Sequence, residues 1–193
     1  MDIVDLHRRA CEGFGVHVRA VRDDQWDRPT PCADWDVRAL VNHLVYEDRW
    51  TPPLVAGQTI ADVGDRFDGD LLGDDPAAAY DEAAGEAVAA FHQPGVTERT
   101  VHLSFGETPA DEYAWQLFAD HLVHGWDLAR AIGADDHLDP ELVDACATWF
   151  ATNEEFYRRG GAIGPRPSLP DDADPQTRLL AAFGRDGSWP SDG

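Results

Sequence analysis

The chain of 193 residues carries 37 acidic side chains against 15 basic ones, a formal net charge of −22. A field of that sign repels phosphate backbones and anionic headgroups, which argues against a nucleic-acid or membrane-surface role. A hydrophobic fraction of 43% with seven tryptophans is that of a globular chain able to bury a sizeable core. The expected organisation is one domain over residues 1–193, with a Pro-rich C-terminal extension over 164–193. Every basic residue is arginine, so Schiff-base lysine chemistry is unavailable. Cys11, Cys32 and Cys146 are odd in number, far apart and free of any CxxC pair, which speaks against a disulfide scaffold or a thiolate zinc site. No apolar run reaches the roughly 18 residues of a membrane span, and the N-terminus has no basic-then-apolar leader pattern. The expected location is the cytoplasm.

In chain order, Leu6, Ala10, Phe14, His17 and Val21 recur at helical spacing from about Ile3 to Arg22. A Pro-punctuated loop, Arg28 to Trp35, follows. Asp36 then caps a second helix that Pro52-Pro53 is expected to end. On it Leu40, His43, Glu47 and Trp50 share a stripe beside Val37, Val41 and Leu44. The stretch from Ala61 to Asp75 groups Asp65, Asp68 and Asp70 but lacks the EF-hand spacing and its terminal Glu, and reads as a solvated acidic loop. Asp75-Pro76 opens an Ala-rich third helix whose apolar face is Tyr80, Ala84, Ala87 and Phe91, and Pro94-Gly95 stops it. Arg99 to Phe105 alternates as a short strand ending at Gly106. A fourth helix is predicted from about Asp111 to Ile132. Asp139-Pro140 opens a fifth that packs through Leu142, Cys146, Trp149, Phe150, Phe156 and Tyr157, with Gly160-Gly161 as its stop. Gly164 to Pro175 reads as extended and Gln176 to Phe183 as a last short helix. The fold class is all-α, a helical bundle with a short β element.

The fourth helix carries the informative stripe: Tyr113, Leu117, Asp120, His124, Leu128 and Ala131. Asp120 and His124 occupy places where the pattern calls for apolar side chains, and a buried polar group costs several kcal/mol unless a partner satisfies it. A divalent metal uses a carboxylate and an imidazole together, and His43, at an inward position of the second helix, supplies a third ligand. Two His and one carboxylate leave coordination positions open, as catalytic sites do. Zinc is the expected metal, and iron, nickel or manganese suit the same ligands. His121 and Glu47 are placed beside the ligands, where they orient them or move protons. Asp127, three residues after His124, either accepts its other ring N–H or packs elsewhere. The competing account of the trio is a hydrogen-bond network in the core. His7 and His17 read as satisfied core histidines. Cys32 reads as a packed loop cysteine, about 15 Å from His43 if distance is counted along the helix axis.

Two segments carry a resemblance. Trp26-Asp27-Arg28-Pro29-Thr30-Pro31-Cys32-Ala33-Asp34-Trp35-Asp36-Val37-Arg38-Ala39-Leu40-Val41-Asn42-His43 and His124-Gly125-Trp126-Asp127-Leu128-Ala129-Arg130-Ala131 resemble the metal-binding N-terminal domain of mycothiol-dependent maleylpyruvate isomerases, within the DinB/YfiT-like superfamily. The tail Arg178-Leu179-Leu180-Ala181-Ala182-Phe183-Gly184-Arg185-Asp186 is similar to the mostly actinobacterial, metal-binding part of that superfamily. The resemblance implies a DinB-like four-helix bundle in up-down-down-up order with small C-terminal helices. It also implies a metal held by one His from the second helix and an acid-xxx-His pair from a later one, which fall on His43, Asp120 and His124. The isomerases carry Glu where this chain has Asp120, and they have a second, C-terminal domain for which this chain leaves no length. The activity this implies is that of a thiol-dependent metalloenzyme of transferase or isomerase type. Mycothiol would be the cosubstrate, with an electrophilic substrate as partner and the metal lowering the pKa of the thiol. The alternatives are a metal-dependent hydrolase and a metal-binding or sensor protein without turnover. An exposed apolar helix face would support a homodimer.

Overall fold

Aspartate opens most of the long helices, which accounts for part of the acidity. Asp2 accepts from the Val4 N–H, Asp36 from Ala39, Asp75 from Ala78, Asp139 from Glu141 and Asp174 from Thr177. Each satisfies a donor the first helical turn leaves unpaired and faces the positive end of the helix dipole. The computed structural model describes residues 2–33, 35–161 and 163–189. Its α-helices are α1 (Ile3–Ala20), α2 (Val37–Val55), α3 (Ile60–Val63), α4 (Pro76–Phe91), α5 (Ala110–Ile132), α6 (Pro140–Arg159) and α7 (Pro175–Ala182). Residues 190–193 of the C-terminal extension lie outside the described residues.

The molecule is mostly helical, as the periodicity requires. Helix α1 packs against α5 and α4, and α2 packs against α4 and α5. Phe14, Leu40, Leu44, Tyr80 and Leu128 fill one part of the core, and Leu6, Phe91, Phe118 and Leu117 another. Helix α7 lies on α5 through Leu180, with Val123 and Trp126 beneath it. Trp126 and Phe183 thereby bring the C-terminal segment over the middle of α5. No helix among the described residues is long and apolar enough to cross a membrane.

Four local features differ from the sequence expectation. Helix α2 runs on to Val55 through Pro52 and Pro53. Each proline removes one helical hydrogen bond, but Thr51, Leu54 and Val55 on the same turn are 0–2% exposed, and their burial outweighs the loss at the end of a helix. The strand pairs with a second one: β1 (Thr100–Leu103) turns at Ser104-Phe105 and returns as β2 (Gly106–Pro109), with Thr100 opposite Pro109 and Leu103 opposite Gly106. Gly106, at φ 127°, lets that two-residue turn close. The acidic loop begins with a capped turn, Thr59 and Asp62 bonding reciprocally at the start of α3. It is then fastened to α2, where Arg38 donates to Asp70 at 2.8 Å and Asn42 both donates to the Gly69 carbonyl and accepts from the Leu71 N–H. Phe156, expected to pack, is instead 63% exposed and meets the rings of neighbouring Tyr157 and exposed Phe105 edge-on.

Candidate metal centre

Asp120 and His124 stand one turn apart on the face of α5 that meets α2, and His43 comes from α2 to join them. His43 Nε2 lies 3.0 Å from Asp120 Oδ2, and His124 Nε2 lies 3.3 Å from Asp120 Oδ1. One donor atom from each of the three residues falls within 4.8 Å of the others. The edge of a tetrahedron of nitrogen and oxygen ligands about 2.0–2.1 Å from zinc is about 3.3 Å, so the trio is already near the spacing a cation would impose.

The loop before α2 covers this point. Thr30 N–H donates to the Trp35 carbonyl at 3.1 Å, and the Thr30 hydroxyl donates to the same carbonyl at 2.9 Å. Val37 and Arg38 N–H groups reach back to the carbonyls of Arg28 and Trp26. The reversal lays the Trp35 ring 4.6 Å from the ring of His43 and 5.6 Å from that of His124, a packing that limits their rotation.

His124 is oriented from behind. Its Nδ1–H donates to Asp127 Oδ2 at 2.9 Å, which leaves Nε2 as the nitrogen facing Asp120. Asp127, fully buried, accepts in turn from Arg185 Nη2 at 2.7 Å. Arg185 arrives from the far end of the chain through a Schellman turn at the close of α7: Arg185 N–H bonds the Leu180 carbonyl and Gly184 N–H bonds that of Ala181. Gly184 sits at φ 79°, and a Cβ there would lie 3.1 Å from the backbone of Gly164. Only glycine fits that turn without displacing the chain.

The electrostatics follow from burial and these pairs. Burial alone would raise Asp120, but the His124 and His43 imidazoles hold it well below the ordinary carboxylate range. Burial alone would lower His124, but Asp120 and Asp127 outweigh it and bring it to about 9. Asp127 is likewise raised by burial and, on balance, lowered by His124 and Arg185. The carboxylate thus needs a positive charge beside it. A divalent cation placed among three donors satisfies the same need as the proton on His124, and the donor set fits such a cation.

Beside the trio lies a cavity of about 580 Å³. His43, Asp120 and His124 line it, together with Glu47, Cys32, Arg185 and an aromatic wall of Trp149, Phe150, Tyr157 and Phe183. His43 and Asp120 side chains keep 25% and 31% of their surface exposed toward it, so the donors have an open side. Glu47 is pushed up to about 7 chiefly by burial, with Asp120 and Asp48 adding to it.

The residues taken from the sequence divide between two places. His43, Asp120, His124 and Glu47 meet at one cavity, and Asp127 holds His124. His121 does not join them: its Nδ1–H donates to the Leu117 carbonyl at 2.9 Å and its Nε2 faces Asp48 Oδ2 at 3.3 Å, inside the core. One residue along a helix is a turn of about 100°, which takes His121 off the Asp120 face. Cys32 lines the cavity instead of packing away from it, because the loop doubles back and the distance along the axis is not the distance in space. His17 is half-buried in a surface groove, and buried His7 has an unpartnered Nδ1. Trp35, Cys32 and Arg185 stand in the segments that carry the resemblance, but nothing in their spacing pointed to the cavity; Arg185 lies 58 residues from the carboxylate it holds.

A mostly helical chain with a two-histidine, one-carboxylate centre beside an aromatic-walled cavity defines the class. Residues 7–129 match the family of the mycothiol maleylpyruvate isomerase N-terminal domain, and the chain belongs to that family. It is similar at 32% identity to uncharacterized proteins from two strains of Mycobacterium tuberculosis, over 96% of its own length and 98% of theirs. Among solved structures it superposes on the mycothiol-dependent maleylpyruvate isomerase with a TM-score of 0.61. A histidine-to-alanine mutant of that enzyme gives a TM-score of 0.64. Both superpositions cover 88% of this chain and 75% of the isomerase at 13% identity, a likeness of fold.

Proposed function

We propose that this protein is a thiol-dependent metalloenzyme of transferase or isomerase type, using a low-molecular-weight thiol such as mycothiol against an electrophilic substrate. His43, Asp120 and His124 hold a divalent metal, zinc before nickel, iron or manganese. The observation that carries this is the convergence of those three donors, open side outward, on the wall of a 580 Å³ cavity. Bound there, the metal would supply positive charge that favours the thiolate form of a thiol at neutral pH. The chain's own residues do the rest. Asp127 and Arg185 keep His124 presenting Nε2. Trp149, Phe150, Tyr157 and Phe183 exclude water from the side where the apolar parts of the substrates lie. Glu47, titrating near 7, takes or returns the proton that thiol addition and isomerisation require.

Glu47 also favours a second reading. A carboxyl of that pKa on the cavity wall suits a general base for water, which would make the protein a hydrolase. We further read residues 1–193 as one domain, with α1, α2, α4 and α5 as a four-helix bundle in up-down-down-up order and the segment after α7 reaching the cavity wall through Phe183 and Arg185.

The test is metal content by plasma mass spectrometry on protein purified without a His tag, followed by turnover with mycothiol and a panel of electrophiles. Metal bound by the parent and lost in His124→Ala, with thiol-dependent turnover that Glu47→Gln slows, supports the enzyme. Metal-dependent turnover without thiol transfers the assignment to the hydrolase. Bound metal with no turnover of either kind leaves a metal-binding or sensor protein.

A further inference from the structure

The core between α1, α2 and α5 holds a second group of ligand-type side chains that the cavity does not use. His7 and Cys11 come from α1, one turn apart; Asp48 comes from α2 and His121 from α5. All four are buried, His7, Asp48 and His121 at 0% exposure and Cys11 at 4%. One donor atom from each lies within 4.8 Å of the other three.

Contacts within the protein satisfy this group only in part. Cys11 Sγ sits 3.4 Å from His7 Nε2, and Asp48 Oδ2 sits 3.3 Å from His121 Nε2. His7 Nδ1 and Asp48 Oδ1 have no partner. His121 gives its Nδ1–H to the Leu117 carbonyl, so Nε2 is the nitrogen it turns towards Asp48. Asp48 then meets one imidazole through one oxygen while its other oxygen has no partner, in a core where an uncompensated polar atom is costly. Phe91 and Phe14 stand edge-on to His7 and His121, with ring centres 5.2 and 6.0 Å apart.

We infer a second metal site, formed by His7, Cys11, Asp48 and His121 and suited to zinc. Two imidazoles, a thiolate and a carboxylate give four protein donors and no open position, the donor number of a structural site rather than a catalytic one. The 3.3 and 3.4 Å separations match the edges of such a tetrahedron. His121, held through its other nitrogen by a backbone carbonyl, has the orientation metal-binding histidines receive. A groove of about 360 Å³ between α1 and α5 reaches His121 and gives a route inward. The site would tie α1 to the two helices that carry the cavity's donors, since Asp48 and His121 adjoin Glu47 and Asp120 in sequence. This inference is independent of what the cavity catalyses.

The experiment counts metal and identifies its donors. Full-length protein without a tag is stripped with chelator under mild denaturation, refolded with zinc or cobalt(II), and desalted. The parent is expected to retain two equivalents, and the cobalt form to show a thiolate-to-cobalt charge-transfer band in the near ultraviolet. His124→Ala should keep one equivalent and the band. Cys32→Ser, which tests the cysteine on the cavity wall, should keep both equivalents and the band. Cys11→Ser should lose the band and the tightly held equivalent. A parent without the thiolate band, a His124→Ala protein with no metal, or a band that disappears in Cys32→Ser overturns the proposal, whereas a single equivalent that His124→Ala keeps together with the band supports this site and overturns the cavity metal instead. The parent and the His124→Ala and Cys32→Ser proteins decide the question even if Cys11→Ser does not refold.

Discussion

Two polar clusters meet the same turn of α5 about 100° apart around its axis, and they differ in what surrounds them. Asp120 faces α2 and the cavity, where three donors leave one side open and Glu47 and Arg185 stand close by. His121, the next residue, faces α1, where four donors close on themselves among aromatic rings. The residue types are nearly the same. Exposure and donor number separate a place where chemistry can occur from one that can only hold the fold together. A histidine on a helix therefore acquires its role from the neighbour it faces, and one step along the chain changes that neighbour.

The sharpest way to break the comparison is to remove one donor on the open side. His124→Ala should weaken metal at the cavity by more than about 100-fold, beyond the range that losing an outer partner costs. His121→Ala should leave cavity metal within about threefold, since that side chain does not reach the trio. Equilibrium titration with a chromophoric chelator measures both. If His121→Ala loses the cavity metal while Asp120→Ala retains it, the division between the clusters is wrong. A smaller effect is expected from the support behind His124. Asp127→Asn or Arg185→Ala should weaken cavity metal by about 10–100-fold with the helices intact by circular dichroism.

Glu47 offers a pH test that the closed cluster should not share. Burial raises it from an ordinary 4.5 to about 7 in the folded state. Between those values the folded protein binds more protons than the unfolded chain, so its stability falls as pH rises through the window. Glu47→Gln should remove about 1–2 kcal/mol of that fall, after allowance for screening by solvent in the cavity. Urea denaturation of metal-free parent and variant at pH 4.5 and 8 reads the difference, and parallel curves would falsify the assignment. The smallest effect is expected at Gly184→Ala, where φ 79° and the contact with Gly164 cost about 1 kcal/mol. The same change should loosen Arg185 and lower metal affinity a few-fold, measured in the same titration.

The helices other than α3, and the caps Asp36, Asp75 and Asp139, were legible in the sequence, because apolar spacing and Asp or Asp-Pro starts are local signals. The trio was legible for the same reason: Asp120 and His124 broke an apolar stripe, and His43 did so on another. The second strand, the continuation of α2 beyond its prolines and the exposure of Phe156 were not, because each depends on what packs opposite.

Composition, periodicity and capping residues determined a mostly helical protein and the polar positions that point into it, since these depend on a helix's own geometry. Only the tertiary structure decided which helix each of those positions faces. It placed His121 with His7, Cys11 and Asp48, brought Cys32 and Trp35 back onto the cavity, and closed the Asp127–His124 pair with Arg185. Those contacts join residues far apart in the chain, and they exist because burying the apolar faces of α1, α2, α5 and α7 together leaves the attached polar groups no other neighbours.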